Sequence, residues 1–237
     1  MDAAAYTTLT RQSGLKTELS VIAHNIANSS TTGFRREGVV FSEYVARMAD
    51  DPSLSMARGN TRHVDLTQAG LTMTGATFDL AIEGEGFFLV ESPTGQQLTR
   101  AGSFTPNAEG ELVTMDGHQL LDMGGAPVFA PAGADHIAIA TDGTISADGE
   151  PIGQIGLWLP EDPLSLRHQS GTLFTADAVQ PAEEGALIRQ GFLEDSNVDP
   201  LSEIARMIEV QRIYEMGQNF LDREDERVRS VVQTLGR

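Results

Sequence analysis

The sequence predicts an α+β fold, in which a helix at each end of the chain pairs with the other as a coiled-coil-like layer around a central all-β domain. Three observations lead to this prediction. Apolar residues recur at alternating intervals of three and four near both ends, the interval becomes two in the middle, and the charge is concentrated in the middle. The predicted parts are an N-terminal axial helix at 1–34, an extended connector at 35–75, a β domain at 76–190 and a C-terminal axial helix at 191–237.

The first segment, from Asp2 to about Asn28, contains no proline and is predicted to be helical. Its apolar residues follow alternating intervals of four and three, which places them on one face of a helix. The helix should end between Asn28 and Thr31, because the hydroxyl side chains that follow compete for backbone hydrogen bonds and Gly33 can take a left-handed conformation. The residues of this face are Leu15, Leu19, Ile22 and Ile26.

The connector at 35–75 follows neither the helical nor the strand period. It is therefore predicted to be extended and to gain order by packing on something else.

The middle of the chain alternates at an interval of two around Leu80 and then carries the apolar run Phe87–Val90, which predicts short strands. Acidic residues precede glycine at many points between these strands, a pairing that is typical of tight turns. We interpret these acids as turn residues rather than as catalysts.

The C-terminal helix has a clear start, with Ser196, Asn197 and Asp199 as candidate caps and Pro200 in the first turn, and should reach about Leu235. Its seam keeps the three and four alternation over many turns. Polar residues interrupt the seam, either as hydrogen-bonded groups that set the register of a buried core or at the edge of a shallower interface. The seam consists of Ile204, Met207, Gln211, Tyr214, Gln218, Leu221, Asp225, Val228, Val232 and Leu235.

The net charge of the 237-residue chain is −18. Residues 1–30 and 198–237 together carry −2, which leaves −16 on residues 31–197. An anionic body of this kind repels phosphates, so nucleic acid is excluded as a partner. If copies of the chain pack together, the nearly neutral ends are the parts that can meet without repulsion.

The chain has no cysteine, which excludes disulfides and cysteine-based metal sites. No run approaches the length of about eighteen apolar residues that a membrane helix needs, and the start lacks the pattern of a secretory signal. We therefore expect no direct insertion into a membrane and, on this ground taken by itself, a cytoplasmic protein.

Candidate catalytic and metal patterns are weak. Ser13 and Lys16 match the Ser-x-x-Lys pattern of penicillin-recognising enzymes, but the companion motifs are absent. The histidines are scattered, with no pair four residues apart on a helix, and Asp142–Glu150 lacks the acid spacing of an EF-hand and is better explained as a β-hairpin. Gly84–Gly86 precedes a strand rather than a phosphate-binding helix. No catalytic residue, cofactor or metal site is predicted.

Three blocks of sequence resemble the signatures of flagellar basal-body rod and hook subunits. His24 stands where that pattern has asparagine, and residues 125–190 match only loosely. The segment 222–236 resembles the proximal members of the rod family more than the distal rod or hook members. The blocks are LSVIAHNIAN at 19–28 with TTGF at 31–34, FDLAIEGEGFFLV at 78–90 with TRAGSFT at 99–105, and EDSNVDP at 194–200 with MIEVQRIYE at 207–215.

This resemblance implies a structural subunit of the proximal rod, whose terminal helices assemble into the axial drive shaft for motility while the β domain faces outward. It implies that the partners are other rod subunits, further copies of the chain and the flagellar export apparatus. It also implies a place in the basal body across the periplasm, export without a cleaved signal peptide, and termini that are poorly ordered before assembly. The expected assembly contacts are Leu15, Leu19, Ile22, Ile26, Ile204, Met207, Tyr214, Leu221, Val228, Val232 and Leu235.

Two alternatives stay open on the sequence. The first alternative to a proximal rod subunit is a distal rod protein or another flagellar axial subunit. The second, from a different class, is a soluble enzyme or binding module built on the β domain.

Overall fold

The computed structural model divides the chain into two compact units. A helical unit comprises Met1–Ala27, Glu37–His63 and Asp199–Arg237, and a β-rich unit comprises Asn28–Arg36 and Val64–Val198. The terminal helices pack on each other and the central region is rich in strands, so the predicted α+β class is confirmed. The structure describes residues 3–46, 54–131, 133–182 and 185–235.

Two helices form the first part of the helical unit: α1 (Ala3–Ala27) and α2 (Pro200–Leu235). Helix α1 ends at Ala27, one residue before the predicted range of Asn28 to Thr31, and α2 is helical as far as Leu235, as the sequence predicts. Asn25 contacts Glu203 and Gln12 contacts Tyr214, so the helices run antiparallel. No helix among the described residues is long and apolar enough to cross a membrane.

The core between α1 and α2 is small and apolar. Leu15, Ile22 and Val210 are buried at its centre. Burying an aliphatic side chain of this size contributes about 1.5–3 kcal/mol, so these contacts hold the two helices together. The partly buried residues around this centre are Leu19, Ile26, Met207, Ile213 and Tyr214.

Of the three candidate caps, Asp199 is the residue that caps the start of α2. One carboxylate oxygen of Asp199 accepts a hydrogen bond from the Leu201 amide at 3.1 Å, and the other accepts one from the Ser202 hydroxyl at 2.6 Å. The Asp199 carbonyl accepts the first bond of the helix, from the Glu203 amide at 3.1 Å. The cap therefore satisfies backbone donors that a helix start leaves without partners.

We expect the first turn of α2 to loosen as the pH falls. The hydrogen bonds from Ser202 and Leu201 hold the pKa of Asp199 below its ordinary value of 3.8. The stabilisation is complete above the unfolded-state pKa and is lost as the pH falls through the lower folded-state pKa. The protection of the Leu201 and Ser202 amides against hydrogen exchange, measured relative to the intrinsic exchange rate at each pH, should therefore fall at acid pH. In the Asp199→Asn variant, which keeps an acceptor but does not titrate there, the loss of protection should be smaller; an equal loss would contradict this account.

A β-hairpin completes the helical unit. Strands β1 (Glu37–Ala46) and β2 (Leu54–Val64) pair with each other as a two-stranded sheet. The prediction for this part of the chain was an extended connector, without strand pairing. The pairing was missed because neither strand shows a clean alternation of apolar and polar residues.

The β-rich unit is built from short strands, all paired antiparallel, with a 3-10 helix at Pro163–Ser165. Its strands are β3 (Leu71–Met73), β4 (Leu80–Glu83), β5 (Phe87–Ser92), β6 (Gly95–Thr99), β7 (Thr105–Pro106), β8 (Leu112–Val113), β9 (Gln119–Leu120), β10 (Ile137–Ile139), β11 (Thr144–Ala147), β12 (Glu150–Gln154), β13 (Leu157–Pro160), β14 (Arg167–Ser170), β15 (Leu173–Thr175), β16 (Val179–Pro181), β17 (Leu187–Gln190) and β18 (Phe192–Glu194).

One sheet of this unit runs in the order β14-β15-β6-β5-β9-β8-β7, with β13 pairing to both β5 and β16. Strands β10, β11 and β12 form a separate meander. The late strands β17 and β18 pair with the early strands β4 and β3, so the end of the unit closes onto its beginning.

Strand β5 lies at the centre of the core, which explains its unbroken apolar run. Phe88 and Val90 belong to one buried cluster, whereas Phe87 and Leu89 belong to another. Since successive side chains of a strand point to opposite faces, β5 has apolar packing on both faces. The predicted strand is confirmed, and both of its faces are buried.

The segment Asp142–Glu150 forms turns and strands rather than a calcium loop. Asp142 accepts a hydrogen bond from the Thr144 amide at 2.9 Å in the turn between β10 and β11. The hydrogen bonds from Thr144 lower the pKa of Asp142. This acid is a turn residue, as the sequence indicated.

Candidate assembly site

The face of α2 that packs on α1 continues beyond the contact between the two helices. At about 1.5 Å per residue, α2 is about 54 Å long and α1 about 37 Å. From Asp225 to Leu235 every side chain of α2 is exposed. Val228, Val231 and Leu235 lie in this part at intervals of three and four, which continue the line that begins at Val210. We call these exposed residues, together with Val232, the distal apolar face of α2.

A second group of apolar side chains is exposed near the start of α2. Leu201, Ile204 and Ile208 are spaced by three and four residues and share one side of the helix. This side lies about half a turn away from buried Val210. Large exposed apolar patches on a helix mark places where another surface packs.

The structure separates the predicted contact residues into two groups. Leu15, Leu19, Ile22, Ile26, Met207 and Tyr214 lie in the core between α1 and α2. Ile204, Val228, Val232 and Leu235 are exposed, and Leu221 is half-buried. Their role as contacts between subunits stays a prediction.

Val210 and Ile213, which the sequence analysis missed, complete the helix pair. After the interval of three from Ile204 to Met207, strict alternation requires an interval of four, which leads to Gln211, whereas a second interval of three leads to Val210. The apolar choice is the one that is buried, and Gln211 is exposed. The polar seam positions therefore do not form the buried core of the pair: Asp225 is also exposed, and Gln218 is half-buried.

A polar network lies at the other end of the helix pair, where α1, β1 and α2 meet. The Asn25 amide donates to the Glu37 carbonyl at 2.8 Å and accepts from the Glu37 amide at 3.0 Å, as a paired strand residue would. Asn25 also donates to the Glu203 carboxylate at 3.2 Å. Asn25 is 0% exposed, and Glu37 and Glu203 are also buried. This asparagine fixes the exit of α1 against both partners.

His24 supports the same network. Its Nδ1 lies 3.2 Å from the Glu37 carboxylate, and an Arg62 nitrogen lies 3.5 Å from the same oxygen. His24, which stands where the family pattern has asparagine, therefore contacts Glu37, the buried acid that also binds Asn25.

A buried ion network organises the β-rich unit. Glu194 binds Arg35 at 2.8 Å through one carboxylate oxygen and Arg100 at 3.1 Å through the other. The Ala69 amide donates to Glu194 as well, at 3.0 Å. Burial lowers the pKa of Arg35, against the attraction of Glu194, and burial lowers the pKa of Arg100 to about 10. The single carboxylate therefore stabilises two buried guanidinium groups.

Gly33 makes this arrangement possible. Its φ is +72°, a conformation that side chains disfavour, and a Cβ there would lie 2.3 Å from the Ala101 amide nitrogen. The Gly33 amide donates to the Glu194 carbonyl at 2.7 Å. Backbone segments meet here too closely for any side chain.

Asn197 is a second junction in the same unit. Its carbonyl oxygen accepts from the Arg36 amide at 2.6 Å, and its amide donates to the Asp65 and Thr67 carbonyls, each at 3.0 Å. The motif residues Arg100, Glu194 and Asn197, like Gly33, therefore hold distant backbone segments together. They act as structural junctions.

Cavities in the described part of the β-rich unit include two that carry titratable side chains. The larger, about 470 Å³, has Asp135 and His136 as its titratable lining residues, and both are exposed. The smaller, about 280 Å³, is lined by Glu85, Arg100 and Glu161 among apolar residues. Arg100 is held in the ion network with Glu194, so it is committed to the fold.

Family patterns match three parts of the chain. The family described as "Flagella basal body rod protein" matches residues 6–35, the "Flagellar hook protein FlgE/F/G D1 domain" matches 81–147, and the "Flagellar basal body rod FlgEFG protein C-terminal" matches 189–234. The three patterns occur in the order that the sequence blocks indicated.

Whole-chain relatives agree with these matches. The flagellar basal-body rod protein FlgF of Caulobacter vibrioides is 39% identical over 100% of this chain and 99% of its own. FlgF of Mesorhizobium japonicum is 33% identical with the same coverage, and the rod protein FlgG of Bacillus subtilis is 32% identical over 96% of this chain and 97% of its own.

Proposed function

Because the chain belongs to the flagellar basal-body rod protein family and is a structural rod subunit, we propose that it joins the proximal part of the rod by packing the distal apolar face of α2 against neighbouring subunits. The observation that carries this proposal is the continuity of that face with the buried core of the helix pair. Exposed apolar side chains that extend a buried interface gain hydrophobic free energy when another surface covers them, as α1 covers the core of the helix pair.

The charge distribution supports the same arrangement. The ends of the chain carry −2 and residues 31–197 carry −16. Many copies can therefore pack around a common axis through their ends with little repulsion, while the anionic bodies are better tolerated at a larger radius. A place at the proximal rod, rather than among the distal rod proteins, rests on relatives named FlgF that align with the whole chain.

The remaining parts of the proposal follow from the family. The partners are other rod subunits and further copies of this chain, together with the export apparatus. The chain crosses the periplasm as part of the basal body, is exported without a cleaved signal peptide, and performs no catalysis. Its axial contacts are those predicted above, to which Val231 is added from the distal apolar face.

Val228→Asp is expected to prevent incorporation of the chain into the rod. Val228 is 48% exposed in the single chain, so a carboxylate there is hydrated and leaves the fold intact. In the proposed assembly the same carboxylate would be buried without a partner, which costs several kcal/mol per copy. The measurement is the amount of the variant in purified basal bodies, together with swimming motility and the melting temperature of the purified chain.

Gln233→Asp is the matched control, because it introduces the same charge at an exposed position of the same helix, away from the distal apolar face. We expect this variant to be incorporated normally. Normal incorporation of Val228→Asp, with an unchanged melting temperature, would count against the proposed site.

A further inference from the structure

Besides its apolar residues, α1 presents three polar side chains to α2 that are buried or nearly so. They are Gln12, Glu18 and Asn25, and around the helix they flank the buried Leu15 and Ile22, with Gln12 on one side and Glu18 and Asn25 on the other. Each has a different partner on α2. Polar groups in a helix interface often select one register among several that apolar contacts would allow.

Gln12 reaches the backbone of α2. It is 6% exposed, and its Nε2 donates to the Tyr214 carbonyl at 2.8 Å. This approach depends on Gly217, because a Cβ there would lie 1.9 Å from that nitrogen. A glycine in a helix interior is unfavourable by itself, so its presence here agrees with a role in admitting Gln12.

The amide of Gln12 is only half satisfied within the chain. Its Oε1 is buried without a hydrogen-bond partner among the described residues. A leucine of similar size would remove this unsatisfied group. The stability of the single chain therefore does not explain a glutamine at this position. A directional hydrogen bond to one carbonyl of α2 does explain it.

Glu18 forms the second contact of the series. One of its oxygens accepts from Arg206 twice, at 2.9 Å from Nε and at 2.7 Å from Nη2. The hydrogen bond to Glu18 raises the pKa of Arg206. This contact requires a guanidinium group in a fixed position, and the neighbouring positions of α2 do not offer one to Glu18.

We infer that Gln12 and Glu18 select the antiparallel register of α1 on α2, whereas Asn25 mainly joins the end of α1 to β1. The apolar side chains of the pair are Leu, Ile, Met and Val, which can exchange partners after a shift of one helical turn. The two polar contacts cannot, because a shift of about 5.4 Å separates Glu18 from Arg206 and puts a residue with a Cβ in the place of Gly217 beside Gln12. The inference concerns pairing within one chain, so it holds or fails independently of assembly into a rod.

The test uses spin labels on the full chain, which has no cysteine of its own. Cysteines replace the exposed residues Lys16 on α1 and Arg212 on α2, and pulsed electron resonance gives the distribution of distances between the labels. We expect one narrow distribution in this background. Adding Gln12→Leu and Glu18→Leu should produce a second population displaced by up to about 5.4 Å, one helical turn, or should at least double the width.

The melting temperature separates register selection from simple stabilisation. We expect the double leucine variant to melt at the same temperature as the parent or higher, because both new side chains are apolar. Leu15→Val is the control: it should lower the melting temperature and keep the narrow distribution. The inference is overturned by a narrow distribution in the double leucine variant, by equal broadening in Leu15→Val, or by a broad distribution in the parent chain.

Discussion

Replacing Glu194 with alanine is expected to lower the free energy of unfolding of the β-rich unit by about 3–5 kcal/mol, the range for breaking one partner out of a buried ion pair. Glu194 is 1% exposed and compensates both Arg35 and Arg100. Burial already lowers the pKa of both arginines, and Glu194 opposes that shift. Without it, two guanidinium groups would remain buried beside each other with no carboxylate between them.

Chemical denaturation of the full chain, followed by circular dichroism, measures this effect. Glu83→Ala is the control, because Glu83 also forms an ion pair, with Arg189 at 2.6 Å, but both side chains are nearly half exposed. An exposed pair contributes about 0–1 kcal/mol. If both variants lost the same small amount of stability, the ion network around Glu194 would not be a main support of the fold.

Replacing Asn25 with leucine is expected to destabilise the helical unit by about 3 kcal/mol or more, because several buried groups lose their hydrogen bonds at about 1–3 kcal/mol each. The Glu37 amide and carbonyl and the Glu203 carboxylate would each lose this partner. Leucine has a similar size, so the loss would come from hydrogen bonding rather than from a cavity.

Hydrogen exchange at the Glu37 amide, combined with denaturation of the full chain, measures the change. Asn219→Leu is the matched control, since Asn219 is exposed on α2. A surface substitution of this kind changes stability by about 0.5 kcal/mol or less. Protection of the Glu37 amide that is unchanged in Asn25→Leu would show that the network does not hold β1 to the helices.

The sequence predicted the terminal helices well because their signals are local. Asp199 caps α2 and Pro200 begins it, and the helix ends at Leu235 as expected. The strand β5 was also predicted, since a short apolar run between glycine turns has few alternatives. These elements depend on residues close together in the chain.

The exact face of α2 was harder to predict. Strict alternation of three and four leads from Met207 to Gln211, but α2 packs on α1 through Val210, and only the packing partner decides between the two. The polarity of Gln211, Gln218 and Asp225 was the available signal. A rule that prefers the apolar neighbour at each step would have found Val210.

The ion network could not be predicted as geometry. Arg35, Arg100 and Glu194 lie far apart in the sequence, and no period or spacing connects them. The resemblance named the three blocks that contain Arg100, Glu194 and the glycine turn before Arg35, but not their meeting point. The hairpin of β1 and β2 was missed for a related reason, because its pairing leaves no regular pattern in either strand.

The closure of the β-rich unit by β17 and β18 has a consequence for timing. These strands pair with β4 and β3, and Glu194 is the last residue of β18. A chain that emerges from a narrow channel with its N-terminus first presents Arg35 and Arg100 long before their carboxylate. Pairings between such distant segments form late and slowly. If the chain is exported as proposed, most of the polypeptide would have to leave the channel before this unit could take its final form.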